Sequence, residues 1–316
     1  MKKKMTVVML LFVVMTAASS LWAQAQKPFL GKWDIMGKTE KDTYVYWLEV
    51  TNAGGKLAGN FLNRGGSVLK LPEIAIEKNE LVFSIGADPK NPDRPKPVHR
   101  ATVKNGKLVG VLDTGKEKIN WVGIRPPKWK NKPIDPAGLK YGKPIELYNS
   151  KSLTGWTLQY PSKPSGWSVV DGILQNEPRA NNIISEQKFK DFKVQLEYKL
   201  EPKSNSGLYL RGRYELQIMD DAGSAPNIHS QMAIYSRVAP SSNASKPAGE
   251  WQSAEAIVVG NHVTVLLNGK KVQDNSVLEG ITGGALDSYE GDPGPIMIQG
   301  DHGRIWIRKA VITPIL

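Results

Sequence analysis

Hydrophobic residues in this chain recur at every second position, in short runs broken by Gly, Asn, Asp and Pro. That period limits the fold more than any other feature, because side chains alternate faces along an extended strand and such runs bury one face while wetting the other. Between residues 26 and 127 the runs fall at 44–50, 56–62, 73–76, 81–85, 99–103, 108–112 and 119–124. Turn formers separate them: Asn52-Ala53-Gly54-Gly55, Arg64-Gly65-Gly66 and Asn105-Gly106, the last a two-residue hairpin signal. This period predicts an antiparallel meander, closed or half-closed into a small barrel. From 143 to 316 the pattern resumes at 167–170, 173–175, 183–185, 192–200, 207–219, 231–235, 255–259, 262–267, 270–272, 296–299 and 305–313. Strands this dense predict a two-sheet sandwich of jelly-roll type, so the whole chain reads as all-β. Prolines at 126, 127, 133 and 136 remove ladder donors, and 128–142 reads as an extended linker between two domains.

Residues 1–25 carry a different pattern. Lys2, Lys3 and Lys4 precede an apolar run from Val7 to Ala18, and Ala23-Gln24-Ala25 offers small residues for cleavage. The run is shorter than the ~20 apolar residues that cross a bilayer. The segment therefore reads as a secretory signal, and the product as a secreted, periplasmic protein without a membrane span. The absence of cysteine excludes disulfides, thiolate metal sites, a cysteine nucleophile and a lipid-anchoring cysteine. The formal charge of +12 is spread over single lysines beside turns, such as Lys38, Lys56, Lys78 and Lys107. No dense basic run survives beyond the signal, which argues against nucleic acid as a partner.

The segment richest in chemistry is 205–219. Read as one strand, it places Tyr209, Arg211, Arg213, Glu215 and Gln217 on one face and Leu208, Leu210, Tyr214, Leu216 and Ile218 on the other. The strand at 192–200 alternates likewise, with Lys193, Gln195, Glu197 and Lys199 opposite Val194, Leu196 and Tyr198. Pairing of the two would merge their polar faces into one surface with two carboxylates and two guanidiniums. A solvated outer face has the same alternation. Arginine forks, amides and an aromatic ring in an unbroken row are instead what a sugar-binding cleft requires. Gln299, Asp301 and His302 cluster at a strand end between Gly300 and Gly303, which makes His302 the histidine best placed for acid–base work. The loop with Asp287, Glu290 and Asp292 gathers hard oxygen ligands that calcium or another divalent metal could use, although without the spacing of a defined calcium loop.

An ordered set of motifs resembles the 3-keto-disaccharide hydrolase family over about 143–316. It starts with Glu146-Leu-Tyr-Asn-Ser-Lys-Ser-Leu-Thr-Gly-Trp156 and Trp167-Ser-Val-Val-Asp-Gly-Ile-Leu174. Phe189 to Tyr198, Asn205 to Ile218, Ala233-Ile-Tyr235, Gly249-Glu-Trp251, Leu267-Asn-Gly269 and Gly294 to Gly303 follow in order. Three departures stand out. Met232 replaces the family's usual glycine, Ile307-Arg-Lys-Ala310 replaces a Phe-Arg-Asn-Ile-like strand, and Gly300-Asp301 separates Gln299 from His302. The resemblance implies a concanavalin-A-like jelly roll whose concave face, here the one with Tyr209 to Gln217, holds sugar. It also implies cleavage of glycosides already oxidised at C3.

A C3 ketone acidifies the C2 proton, so a base can remove it, the C1 substituent can leave, and water can add back. Such a site needs a base, an acid for the leaving oxygen and a stabiliser for the enolate. On this reading Glu215 and His302 supply base and acid, and Arg211 and Arg213 hold the C3 oxygen, a task a divalent metal could share. Glu197, Gln217 and Gln299 orient hydroxyls, and Tyr209 stacks on the ring. Two other readings stand beside it: a conventional glycoside hydrolase using Glu197 and Glu215 as a carboxylate pair, and a non-catalytic carbohydrate-binding protein on the same fold.

Overall fold

The computed structural model describes residues 25–40, 42–129 and 133–316, so the expected secretory signal, apart from Ala25, lies outside the described residues. The chain divides into two compact units. One extends to Leu62 and resumes over Leu69–Pro126; the other comprises Asn63–Val68 and Pro127–Leu316. Both are built from strands, as the alternating period requires, and no helix among the described residues is long and apolar enough to cross a membrane.

The first unit contains β1 (Gly31–Lys38), β2 (Thr43–Ala53), β3 (Lys56–Asn63), β4 (Leu69–Lys70), β5 (Glu73–Glu77), β6 (Glu80–Ser84), β7 (Val98–Lys104), β8 (Lys107–Asp113) and β9 (Lys118–Ile124). They form one antiparallel sheet in the order β4-β3-β2-β1-β9-β8-β7-β6-β5. Chain order therefore runs round the sheet, with β1 joined to β9 through Asp34↔Ile124 to Gly37↔Trp121. One face carries the core: Trp33, Ile35, Tyr46, Leu48, Phe61, Leu81, Phe83, Leu108 and Trp121. A Cβ on Gly110 would stand 2.3 Å from the Trp121 ring, so the glycine is what lets the indole lie flat across β8. Leu71 N–H donates to Gly59 O at 2.8 Å and extends the β3–β4 ladder, and a Cβ on Gly59 would stand 3.1 Å from Ile74 Cδ1, so β5 approaches β3 and the sheet curls.

His99 of β7 points into this core. Its ring stacks on Phe83 with centroids 4.4 Å apart, and it is buried. Desolvation pushes its pKa down to about 3. In the unfolded chain the same imidazole takes a proton near pH 6.5, so between the two values the unfolded state binds more protons than the folded one. This contribution to stability is complete above about pH 6.5 and is lost as the pH falls below it.

The second unit is a sandwich. Its strands are β10 (Ile145–Glu146), β11 (Trp156–Leu158), β12 (Trp167–Val170), β13 (Ile173–Asn176), β14 (Ile183–Phe189), β15 (Phe192–Leu200), β16 (Asn205–Leu210), β17 (Tyr214–Met219), β18 (Gln252–Val259), β19 (His262–Leu267), β20 (Lys270–Val277), β21 (Gly294–Ile298) and β22 (Ile305–Pro314). One sheet has eight strands, ordered β12-β13-β22-β15-β18-β19-β20 with β10 beside β22; the other has five, ordered β11-β14-β21-β16-β17. Val194, Leu196, Tyr198, Ala254 and Ala256 of the larger sheet share one core with Leu208, Leu216, Ile218 and Ile298 of the smaller. Each loses a large apolar area to the interior, and truncating such a leucine to alanine costs about 2–5 kcal/mol. The proline-rich stretch is packed: Ile134 is buried and its N–H donates to Asn275 Oδ1.

Two expectations about the polar strands fail. Residues 207–219 form a hairpin, because Arg211 and Gly212 adopt left-handed backbone at φ 54° and 66° and turn the chain between β16 and β17. Nor does β15 pair with either of these strands; its neighbours are β18 and β22 in the other sheet.

Replacing His99 by Phe, which preserves the stack without a titrating nitrogen, is expected to flatten the acid-side loss of stability of the first unit. Denaturant titrations at pH 7 and pH 4.5 test this, and equal pH dependence in wild type and variant would refute it.

Candidate active site

Strand register collects the polar groups of the five-stranded sheet into rows. The pairs Thr157↔Ile184, Ile184↔Met297, Tyr209↔Met297 and Tyr209↔Glu215 make one row on the face turned away from the core. The next row contains Gln159, Asn182, Gln299, Gly207 and Gln217: Gln159 N–H donates to Asn182 O, Gln299 N–H donates to Gly207 O, and Gly207 opposes Gln217. The turn between β16 and β17 has three residues, so Tyr209, Glu215 and Gln217 stay on one face although the strand doubles back.

Gly207 is the floor of this arrangement. A Cβ there would stand 2.5 Å from Glu215 Oε1, so the carboxyl occupies space that any other residue would fill. Glu215 is almost wholly buried, only 4% exposed. Its backbone N–H donates to Thr282 Oγ1 at 2.8 Å, and Tyr209 Oη lies 3.0 Å from its Oε2. Tyr209 Oη is also 2.8 Å from the Gly283 carbonyl oxygen. The phenol has one proton, and a carbonyl only accepts. Both contacts are satisfied when Tyr209 donates to Gly283 and Glu215, as a carboxylic acid, donates to Tyr209. Burial drives the same choice: desolvation lifts the Glu215 pKa to about 8, against the opposing effects of the Tyr209 hydrogen bond and the His302 charge. Tyr209 is held well above its ordinary value by burial and by Glu215.

His302 stands in the loop after β21, about half exposed. Its Nδ1 is 2.7 Å from Asp301 Oδ1. With Nδ1–H donating to Asp301, Nε2 carries the lone pair and can act as a base. The hydrogen bond with Asp301, followed by the charges of Asp301 and Glu215, raises its pKa against partial burial. Glu215 and His302 are thus within electrostatic reach of each other. The carboxamide of Gln217 meets Asn205 Oδ1 at 3.3 Å, and Gln299 is half-buried beside Gly207.

The remaining residues marked in the sequence serve elsewhere. Arg211 donates to Lys190 O (2.6 Å), Gly260 O (2.7 Å) and Asp191 Oδ1 (3.0 Å). Arg213 grips Asp287 with Nε at 2.5 Å and Nη2 at 3.2 Å, and donates to Asp292 O at 2.8 Å. Both leave the binding face because they sit in the turn, and they anchor it. The acidic loop does not converge on a metal. Asp287 is taken by Arg213, and Glu290 is buried and accepts from Tyr214 Oη at 2.7 Å and Gly280 N–H at 2.9 Å, while Asp292 is exposed. Among the described residues no group of three or more His, Asp or Glu side chains is arranged to hold one. Glu197 lies on the outward face of β15, 2.7 Å from Arg308 Nε. The shared core separates it from Glu215, so the two carboxylates point away from each other and form no pair across a cleft. Segment 231–235 is irregular edge cover: Met232 N–H donates to Gln217 O and Tyr235 N–H to Glu215 O. Met232 has φ 60°, the left-handed backbone that the glycine usual at this position would adopt without strain. Sequence reasoning missed Thr282, Gly283 and Asn182, which lie in loops or at a strand end and show no alternation.

Known proteins are similar to the second unit. A family model described as a 3-keto-alpha-glucoside-1,2-lyase-like domain matches residues 143–313, more than half of the chain. A 3-keto-disaccharide hydrolase of Bacteroides thetaiotaomicron is 24% identical over a match covering 40% of this chain and 54% of the relative. The match thus spans about half the length of that curated relative. Among solved structures, a Parabacteroides distasonis chain described as a candidate glycosyl hydrolase is 26% identical, with a TM-score of 0.48 over 57% of this chain and 92% of that one. A second from the same organism is 20% identical, with a TM-score of 0.45 over 54% and 92%.

Keeping Glu215 neutral has a thermodynamic signature. Its folded pKa, about 8, lies above the unfolded value of 4.5, so the associated stability is complete below about 4.5 and is lost as the pH rises through 8. At about 1.4 kcal/mol per unit, ionising this buried group costs on the order of 5 kcal/mol. Glu215→Gln is expected to raise Tm relative to wild type at pH 9 and to change it little at pH 5. Equal differences at both pH values would count against a neutral Glu215.

Proposed function

The chain belongs to the 3-keto-alpha-glucoside-1,2-lyase-like family, and from that premise we propose that it is an exported enzyme cleaving glycosides oxidised at C3. One arrangement carries the reading: Glu215, buried over Gly207 and hydrogen-bonded to Tyr209, shares a site with His302, whose Nδ1 is 2.7 Å from Asp301 Oδ1 so that Nε2 is left for substrate. An acid and a base held in one site are what the elimination requires.

In the proposed sequence His302 Nε2 takes the C2 proton that the neighbouring ketone has acidified. The C2–H electron pair forms the C1–C2 double bond as the C1–O bond breaks, and Glu215 gives its proton to the departing oxygen. Water adding across the new double bond, with its hydroxyl to C1 and a proton to C2, completes hydrolysis. Glu215 regains a proton and His302 loses one, so the site returns to its starting state. Gln299 and Gln217, flanking the bare backbone of Gly207, offer amide N–H groups to the C3 oxygen and to neighbouring hydroxyls. Tyr209, with its hydroxyl committed to Gly283 and Glu215, sets the proton on the acid rather than stacking on the sugar. Export rests on the pattern of residues 1–25, which would bring the enzyme to sugars outside the cytoplasm.

Incubation with 3-keto-trehalose or a 3-keto-glucoside beside the unoxidised sugars is expected to consume only the oxidised ones. Turnover of neither would leave a carbohydrate-binding protein, and turnover of the unoxidised sugar alone would exclude the elimination. Because Glu215 works protonated, kcat should fall as the pH rises through about 8. Glu215→Gln should lower kcat roughly 100-fold or more and abolish that alkaline limb, and a limb that persists in the variant would assign the acid elsewhere.

A further inference from the structure

The loop that carries His302 owes its shape to two buried asparagines from other strands. Asn176, the last residue of β13, is 1% exposed. Its Nδ2 lies 3.1 Å from Gly300 O, 2.9 Å from Gly303 O and 3.0 Å from Glu177 O, and its Oδ1 accepts from Ile305 N–H at 2.7 Å. One carboxamide thus grips both ends of the loop and the first residue of β22. Asn182, just before β14, is 5% exposed. Its Oδ1 accepts from Gly300 N–H at 2.8 Å and Asp301 N–H at 3.3 Å, and its Nδ2 donates to Gln159 Oε1 at 2.7 Å. The loop backbone has no slack on the inner side. A Cβ on Gly300 would stand 2.4 Å from Asn181 O, and one on Gly303 would stand 2.2 Å from Ser204 Oγ. From below, Arg179 N–H donates to His302 O at 3.2 Å. The side chains of Asp301 and His302 reach solvent, each about half exposed.

The loop between β21 and β22, residues 299–304, has ample freedom to swing an imidazole by an ångström, and such a displacement can cost about 100-fold in rate. Buried amides that grip the loop backbone, one of them held in turn by Gln159, remove that freedom. We propose that Asn176 and Asn182 are positioning residues, which hold the Asp301–His302 pair in register with Glu215. This rests on the elimination reading, in which His302 takes the C2 proton. Asn182 is the sharper test, because aspartate can still accept from Gly300 and Asp301 N–H whereas alanine cannot.

The experiment compares wild type, Asn182→Ala and Asn182→Asp by steady-state kinetics on a 3-keto-glucoside and by NMR titration of 15N-labelled histidine, with His302 identified by its loss in His302→Ala. Asn182→Ala is expected to lower kcat 10- to 100-fold with KM within threefold of wild type. The His302 titration should move down toward the ordinary imidazole range as the Asp301 contact loosens. Asn182→Asp should stay within threefold of wild type in kcat. Native kcat and a native titration curve in Asn182→Ala would overturn the proposal, as would equal losses in the two variants. If Asn182→Ala does not fold, Gln159→Ala, which strips only the outer partner of Asn182, replaces it. A three- to tenfold loss in kcat with the same titration shift is then expected, and unchanged values overturn the proposal. The two readings fail separately. A wild type that turns over no 3-keto-glycoside refutes the elimination, while the titration still reports whether the asparagines hold His302.

Discussion

A carboxyl group almost wholly withdrawn from water organises the second unit. Glu215 stands over Gly207, with Tyr209 against its carboxyl and Thr282 on its backbone N–H, and burial outweighs the pull of the Tyr209 hydrogen bond toward the charged form. In a solvated cleft the same residue would be an anion at neutral pH and could give no proton to a leaving oxygen. The hairpin beneath it, the arginine anchors at the turn and the edge cover at 231–235 all serve to keep that pocket closed. Removing water here creates an acid, at a cost in stability that grows with pH.

How the anchors are made shows why arginine was the wrong sign of a sugar site. Arg211 and Arg213 have the residue type and spacing of substrate ligands, yet each sits where backbone carbonyls turn inward without a strand to pair with. A guanidinium has five donors in a fixed plane, which suits a turn full of orphan acceptors as well as it suits a substrate. The distinction lies in the backbone: at φ 54° and 66° the chain leaves the sheet, and the side chains leave its face with it.

Much of the architecture was legible in the alternation of apolar residues. It located most strands in both units, the hairpin turn at Asn105-Gly106, and the core faces of β15, β16 and β17. Strand β1 escaped because Met36 and Gly37 interrupt its pattern, although Trp33 and Ile35 are core residues. Of the site, Glu215, Gln217 and Gln299 were readable because they share a strand face or continue one. The pairing of β15 was not, since period alone does not say which strand lies beside which, and Glu197 was placed on the wrong sheet for that reason. Thr282, Asn176 and Asn182 act through hydrogen bonds to segments distant in the chain, and nothing local announces them.

The strand order of the first unit has a consequence for its edges. Its opening strand, β1, and its closing strand, β9, are hydrogen-bonded neighbours, so neither end of the chain's path through the sheet is an edge. The unpaired N–H and C=O groups of a sheet lie on its outermost strands, and here these are β4 and β5, consecutive in the chain, so one short stretch, 69–77, carries both edges.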